Sequence, residues 1–252
     1  MLKLKYDGSF EGYLTALFVL FNEYGYLKKP LDVVISAQDV QHELFAETVC
    51  VETQFDRADR VLQRLEPQLG KAGIQQLLMV YLSELSDWET CLLAVIRYAL
   101  QHPQQNVLSN YAHPQIMRLA EIVKSVSRER HRMLAFVRFE LMQNGIYFAR
   151  VEPDFNVLPL IGKHFQRRYQ DQQWAIYDLR RDYGIYYNGQ ALQIIGDVDF
   201  SASNYAETET LYQALWQGYF HHVNIPERRN LKLHLQYLPR RYWQYLTEKS
   251  IK

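Results

Sequence analysis

The segment MLAFVRFELMQNGIYFARVE, residues 133–152, decides the fold class of this sequence. Upstream of it, apolar residues recur at three- and four-residue spacing, which is typical of helices. From its first residue the spacing changes to two, which indicates a strand over residues 133–140. Asn144-Gly145 favours a tight hairpin turn, and residues 146–152 predict a returning strand. The chain is therefore predicted to change from helices to sheet where this segment begins.

The residues before this segment are predicted to be mostly helical, with a short sheet at the N-terminus. Alternation over residues 2–6 indicates a strand, and Ser9 favours the N-cap of a following helix. Asp32–Ile35 and Thr48–Glu52 are β-branched runs that fit beside that strand. Residues 86–89, SDWE, match a capping box that would begin another helix.

The residues after this segment predict alternating helices and strands. They comprise a helix over Val157–Tyr169 with Asp154 or Asn156 as its cap, strands over Trp174–Leu179, Tyr183–Asn188 and Ala191–Ile195, a second hairpin turn at Asn188-Gly189, and a helix over Thr208–Phe220. The sequence thus predicts an α+β fold, with a helix-rich N-terminal half and a mainly antiparallel β-sheet with packed helices in the C-terminal half. Residues 1–130 and 131–252 form either two domains or the two halves of one continuous domain.

Composition places the chain among ordinary globular proteins. It has 252 residues, of which 48% are hydrophobic and 22% charged, so disorder, collagen and a small disulfide scaffold are excluded. The longest strongly apolar run, residues 14–21, is far shorter than the roughly 20 residues of a membrane span. We therefore expect a cytoplasmic protein with no membrane association. Cys50 and Cys91 have no neighbouring ligands and are predicted to be buried, unpaired thiols.

Charge is distributed unevenly, although the formal net charge is zero. Residues 1–100 carry 9 Lys and Arg against 14 Asp and Glu, whereas residues 101–252 carry 19 against 14. The basic excess of the C-terminal half fits either a solvated helix surface or contact with an anionic partner.

Motifs of common enzymes are absent from the sequence. It contains no P-loop, no GxGxxG, no GxSxG, no HExxH and no iron–sulfur cysteine pattern. Nucleotide hydrolysis, dinucleotide redox chemistry and zinc proteolysis are therefore disfavoured, and no cofactor is predicted. Adjacent His221 and His222 would need further ligands to hold a metal, so no metal site is predicted either.

Two groups of polar residues are candidates for binding an anion or for catalysis. His164, Arg167 and Arg168 fall on one stretch of a predicted helix surface, which suits an anion; a solvated face, or a structural pairing of the His with Asp171, is the alternative. The carboxylates of Asp154, Asp171 and Asp178 could hold a divalent metal for phosphodiester chemistry, but capping and turn roles explain them equally well.

Aromatic and basic residues interleave repeatedly in the C-terminal half. They do so at Arg138-Phe139, at Tyr147-Phe148-Ala149-Arg150, at Arg167-Arg168-Tyr169 and at Arg240-Arg241-Tyr242-Trp243. Nucleic acids favour this mixture, because cations neutralise phosphates and flat rings stack on unpaired bases. Packing of the aromatic rings in a core is the competing interpretation.

Several blocks, in order, resemble a bacterial family of unknown function that is described as probable DNA metabolism or repair proteins. The blocks are YDGSFEG at residues 6–12, FVRF at 136–139, YFARVEPD at 147–154, WAIYD at 174–178, WQGYF at 216–220 and PRRYW at 239–243. The resemblance implies partnership with a radical-SAM DNA modification or repair protein, and a similar module is fused to some uracil-DNA glycosylases. The family resemblance does not identify any catalytic residues.

These observations together favour a DNA metabolism or repair protein that binds nucleic acid or a modified nucleotide through its basic, aromatic C-terminal half. The predicted phosphate contacts are Arg138, Arg150, His164, Arg167, Arg168, Arg180, Arg228, Arg229, Arg240 and Arg241. The predicted stacking groups are Tyr147, Trp174 and Trp243.

Two other classes of function stay open. One is a nuclease- or glycosylase-like enzyme that uses Asp154, Asp171, Asp178 or His164. The other is an adaptor for the radical-SAM partner, with the acidic N-terminal half as its docking surface.

Overall fold

A computed structural model describes residues 1–28, 32–37, 47–196, 205–223 and 235–249 of the chain. The α-helices in these ranges are α1 (Phe10–Asn22), α2 (Phe55–Tyr81), α3 (Trp88–Gln101), α4 (Pro114–Phe136), α5 (Leu158–Arg168) and α6 (Glu209–Val223). The strands are β1 (Leu2–Lys5), β2 (Val33–Ser36), β3 (Glu47–Cys50), β4 (Glu140–Leu141), β5 (Tyr147–Val151), β6 (Trp174–Asp178), β7 (Tyr183–Tyr187) and β8 (Leu192–Gly196). The chain divides into two units, residues 1–127 and 128–252.

The N-terminal unit contains a small parallel sheet in which β1 lies between β2 and β3. This confirms that the two β-branched runs pair with the first strand. The turn after β1 leads directly into α1, whose N-cap is Ser9 as predicted: its hydroxyl accepts a hydrogen bond from the amide of Gly12 at 2.9 Å. The cap satisfies one of the donors that a helix N-terminus leaves unpaired.

The predicted capping box at residues 86–89 is wrong. Asp87 precedes α3, but its side chain makes no capping hydrogen bond and instead pairs with Arg118, at 2.7 Å. The Glu89 carboxylate accepts the hydroxyl of Tyr6, also at 2.7 Å. Both carboxylates therefore bind partners that are distant in sequence, and a local capping pattern does not reveal such partners.

The C-terminal unit contains a five-stranded sheet in the order β4-β5-β6-β7-β8. Only β5 and β6 pair in parallel, through the crossover helix α5, so the sheet is mainly antiparallel as predicted. Both predicted hairpin turns are present: Gly145 and Gly189 have φ angles of 82° and 91°, a region that glycine enters without steric cost. Helix α5 packs closely on the sheet, because a Cβ at Gly162 would lie 3.2 Å from Ile185.

The predicted strand over residues 133–140 is wrong, since α4 continues to Phe136 and β4 begins only at Glu140. The helical period persists, because the buried positions run on as Ile122, Val126, Glu129, Met133 and Val137. Met133 and Val137 are four residues apart and therefore fit a helix as well as an alternating strand. Ala135, which a strand would have placed beside them, is exposed.

The predicted caps of α5 are also wrong. The helix begins at Leu158, and Val157 precedes it without a side-chain hydrogen bond. Asn156 accepts the hydroxyl of Tyr183 instead, and the backbone amide of Asp154 donates to Glu129.

Three further expectations concern the two cysteines and the absence of a membrane span. Cys91 is buried as predicted, but Cys50 is exposed, because it lies in β3 at the edge of the N-terminal sheet. In the described ranges, no helix combines the length and the apolar character needed to cross a membrane.

Candidate functional site

A cavity of about 680 Å³, which we call the aromatic cavity, opens in the C-terminal unit. Six aromatic side chains line it: Phe139, Tyr147, Tyr169, Trp174, Tyr212 and Trp216. Its charged and amide-bearing residues are Arg138, Arg168, Gln172, Glu209 and Gln213. This volume falls in the range of about 300–1,000 Å³ that is typical of small-molecule sites.

Sheet register and helix spacing bring the aromatic residues together. Tyr147 and Trp174 are paired neighbours at the starts of the parallel strands β5 and β6. The Phe139 ring lies edge-on to Trp174, with 6.1 Å between ring centroids. On α6, Tyr212 and Trp216 are one helical turn apart and face the same cavity. The walls therefore come from three separate parts of the sequence.

Arg138 lies at this cavity but is occupied by protein partners. It donates to the Glu248 carboxylate at 2.8 and 3.3 Å and to the Ala135 carbonyl at 2.7 Å. Trp216 donates its indole N–H to the same carboxylate at 3.0 Å. Burial alone would raise the pKa of Glu248, but donation from Arg138 and Trp216 lowers it below the ordinary value. Arg138 therefore fixes the wall of the cavity rather than offering a free cation.

Arg168 differs, because it is exposed and pairs with no carboxylate in the described part of the chain. Its guanidinium lies 5.6 Å from the centroid of the Tyr169 ring and donates to the Tyr169 hydroxyl at 3.2 Å. Arg167 and His164 are exposed on the same helix but do not line the cavity. Of the predicted anion group, only Arg168 therefore belongs to the site.

The acidic member of the cavity is Glu209, with a relative exposure of 7%. One of its carboxylate oxygens accepts the backbone amide of Leu141 at 2.8 Å, and the other accepts the Gln213 amide at 3.2 Å. The same Gln213 nitrogen donates to Glu140 at 3.1 Å. These bonds hold α6 against β4 and fix the orientation of the Gln213 side chain.

Trp174 is almost completely buried, at 1% exposure, so it forms an inner wall rather than an exposed stacking platform. Its indole N–H is buried and has no hydrogen-bond partner among the described residues. An unpaired buried donor is uncommon in folded proteins and costs free energy.

A second hollow, of about 350 Å³, lies in the same unit and is here called the arginine cleft. It is lined by Glu152, Asp154, Arg180, Arg240, Arg241 and Gln244. Arg180 donates to the backbone carbonyl of Asp154 at 3.2 Å, and Arg241 donates to the Asp154 carboxylate. Arg240 is exposed, with its guanidinium carbon 5.8 Å from the centroid of the Trp243 ring.

Beneath the arginine cleft is a buried cluster around Glu129, which is 1% exposed. Its carboxylate accepts the hydroxyl of Tyr242 and the backbone amide of Asp154, and Arg241 lies 3.6 Å away. Burial and the bond to Glu129 raise the pKa of Tyr242, so the phenol stays neutral. The cluster joins α4 to the 3₁₀ helix Arg240–Tyr245.

The candidate catalytic carboxylates do not come together in either hollow. Asp178 is fully buried and accepts bonds from the Arg181 side chain at 2.8 Å and the Arg180 amide at 2.9 Å. Burial raises its pKa despite the pairing with Arg181. Asp171 and His164 are exposed and line neither hollow, whereas Asp154 lines the arginine cleft. No group of three or more His, Cys, Asp or Glu residues within the described ranges could hold a metal.

The remaining predicted contacts lie elsewhere. Arg150 pairs with Glu140 at 3.1 Å, and Trp243 donates to the carbonyl of Leu238 at 3.1 Å. Arg228, Arg229 and the side chain of His221 lie outside the described residues.

Sequence reasoning missed the contribution of α6. Tyr212, Gln213, Trp216 and Glu209 line the aromatic cavity, and none of them was a predicted site residue. The signal was present as two aromatic residues at i, i+4 spacing on a helix, but core packing explains that spacing equally well.

A family model described as a domain of unknown function, DUF4130, matches residues 86–248. The chain belongs to this family. The DUF4130 match spans about two thirds of the chain and includes every residue that lines the two hollows. It confirms the resemblance to a family of unknown function.

No curated protein matches the chain. A solved structure described as the DHH domain of a member of a family of ribosomal proteins is 14% identical to it, with a TM-score of 0.24. That match covers 74% of this chain and 56% of the other, and the TM-score is too low to support an argument about fold or function.

Proposed function

We propose that this protein acts in DNA metabolism or repair, in the cytoplasm, by binding an unpaired base or a modified nucleotide in the aromatic cavity. The observation that carries the proposal is a hollow of about 680 Å³ that is walled by six aromatic side chains and lined by the exposed cation of Arg168. A planar base stacks on such walls, and its phosphate is attracted to the arginine.

The size of the cavity and the character of its walls favour an unpaired base over a duplex. Bases within a duplex are already stacked and paired, so only a single-stranded or extruded base exposes its faces to aromatic side chains. Each stacked base contributes about 1–3 kcal/mol of binding free energy.

Binding of labelled single- and double-stranded DNA by the purified full chain, measured across a salt series, tests the proposal. We expect single-stranded DNA to bind more tightly and the affinity to fall as salt is raised. Tyr212→Ala should weaken binding by about fivefold to a hundredfold, because Tyr212 lines the cavity and is 60% exposed.

The matched control is Tyr237→Ala, because Tyr237 is 68% exposed and lies outside the cavity. Equal binding by the two variants, or no DNA binding by the unmodified chain, would contradict the proposal.

The enzyme and adaptor alternatives stay predictions, and the same samples separate them. Cleaved DNA that depends on Mg²⁺ or Mn²⁺ and is lost in Asp154→Asn would favour the nuclease-like enzyme. Stable co-purification with a radical-SAM protein, combined with no intrinsic DNA affinity, would favour the adaptor.

A further inference from the structure

One polar patch of the aromatic cavity offers hydrogen-bond acceptors. It consists of the Glu209 carboxylate and the side-chain carbonyl of Gln213. Each Glu209 oxygen accepts one bond from the protein, which leaves each with capacity for another. The Gln213 amide nitrogen is already committed to Glu209 and Glu140, so the free atom of that amide is its carbonyl oxygen.

Neither arginine of the cavity forms an ion pair with Glu209 within the described residues. Arg138 is engaged by Glu248 and by backbone carbonyls. Arg168 lies over the Tyr169 ring and donates to its hydroxyl. A base edge that reaches Glu209 and Gln213 therefore meets acceptors that no arginine neutralises, and it is favoured there when it carries donors.

The four DNA bases differ sharply in this respect. The Watson–Crick edge of guanine carries two adjacent donors, the N1–H and the N2 amino group, which match the two oxygens of a carboxylate. Adenine and cytosine place a ring acceptor beside their single amino group, and thymine places a carbonyl on each side of its N–H. A carboxylate repels those acceptors, because both partners carry negative partial charge.

We propose that Glu209 makes the aromatic cavity selective for guanine, by accepting hydrogen bonds from the N1–H and N2 amino group of the bound base. This selectivity rests on the proposed function, because it requires that the cavity binds a base at all. The buried position of Glu209 strengthens the effect, since a charge-assisted hydrogen bond is worth more where water is excluded.

The test compares short single-stranded oligonucleotides, TTXTT, in which X is guanine, hypoxanthine, adenine, cytosine or thymine. Each competes with a fluorescein-labelled guanine oligonucleotide for the full chain. Hypoxanthine differs from guanine only by the missing N2 amino group, so it removes one hydrogen bond and leaves stacking almost unchanged. We expect the guanine oligonucleotide to bind at least about tenfold more tightly than the hypoxanthine one.

Glu209→Gln tests the assignment from the protein side. The variant keeps an acceptor for the Leu141 amide but loses the second carboxylate oxygen, so the preference for guanine over hypoxanthine should fall to about onefold. Glu207→Gln is the matched control, because Glu207 is exposed and lies outside the cavity. Thermal unfolding of both variants checks that they fold, and the comparison of oligonucleotides on the unmodified chain needs no variant.

The outcomes are distinct. Preference for guanine that disappears in Glu209→Gln supports the inference. Equal binding of all five oligonucleotides, still weakened by Tyr212→Ala, overturns the guanine selectivity and leaves the proposed function in place. Absence of binding by every oligonucleotide overturns both.

Discussion

The aromatic cavity and the arginine cleft both contain arginines that sequence patterns assign to phosphate binding, yet their surroundings differ. In the arginine cleft, Arg241 pairs with the Asp154 carboxylate and approaches buried Glu129, whereas Arg180 donates to the backbone carbonyl of Asp154, which does not neutralise its charge. In the aromatic cavity, Arg168 is exposed and pairs with no described carboxylate. The number of arginines is therefore a poor guide to phosphate binding; what matters is whether each guanidinium is already neutralised.

The strongest test of the structural role of the arginine cleft is Glu129→Ala. It leaves the Tyr242 hydroxyl, the Asp154 amide and Arg241 without their buried acceptor. Removing one partner of a buried charged network typically costs about 3–5 kcal/mol. Urea unfolding followed by circular dichroism should show that loss in the free energy of unfolding. Glu121→Ala, an exposed glutamate on the same helix, should change it by less than about 0.5 kcal/mol; a similar small change for Glu129 would remove the cluster from the stability argument.

Glu248→Gln, at the wall of the aromatic cavity, should lower the free energy of unfolding by a smaller amount. The substitution weakens charge-assisted bonds to Arg138 and Trp216, so we expect a loss of about 1.5–3 kcal/mol in the free energy of unfolding at neutral pH. Because the pKa of Glu248 is lowered on folding, its contribution is present above about pH 4.5, the ordinary value, and is lost as the pH falls through the folded-state pKa. Urea unfolding at a series of pH values below 7 measures this. A difference between the two proteins that does not shrink as the pH falls would contradict an electrostatic origin.

Arg241→Gln tests whether an arginine of the cleft that is already paired contributes to DNA binding. Its guanidinium bridges Asp154, Glu129 and Tyr242 but is 42% exposed, so its removal should lower the free energy of unfolding by only about 1 kcal/mol. The salt dependence of DNA binding should stay unchanged, because this cation is already neutralised. A flatter dependence of log Kd on log salt would instead place Arg241 in contact with phosphate.

Arg168→Gln should give the opposite result, with the smallest change in stability. We expect the free energy of unfolding to stay within about 0.5 kcal/mol, while the slope of log Kd against log salt decreases by about one. Arg167→Gln is the matched control, because it removes the same charge from the neighbouring exposed position outside the cavity. If both variants changed the slope equally, the basic face of α5 rather than the cavity would be the contact surface.

Local signals in the sequence predicted much of the fold. The Ser9 cap and the two Asn-Gly hairpins depend on residues within a few positions, and all three are present. The change of period at Met133 was misleading, because spacing of four residues satisfies both a helix and an alternating strand. Pairing of Asp87 with Arg118 and of Glu89 with Tyr6 was likewise invisible to a local pattern.

The candidate site was less predictable than the fold. Arg138, Tyr147 and Arg168 were named from the interleaving of aromatic and basic residues and Trp174 as a stacking group, and all four line the aromatic cavity. The pairing that neutralises Arg138 joins residues 110 positions apart, so no local pattern could indicate it. The contribution of α6 depends on where that helix packs, which is a property of the tertiary structure.

The position of Tyr242 and Glu248 in the chain also affects when the C-terminal unit can be completed during protein synthesis. Tyr242 bonds to Glu129 and Glu248 to Arg138, at separations of 113 and 110 residues. While these late residues are still inside the ribosomal exit tunnel, Glu129 lacks the Tyr242 donor and one wall of the aromatic cavity is unfixed. We therefore expect the sheet of the unit to form during translation, and the cavity to be completed only after residues 240–248 have emerged.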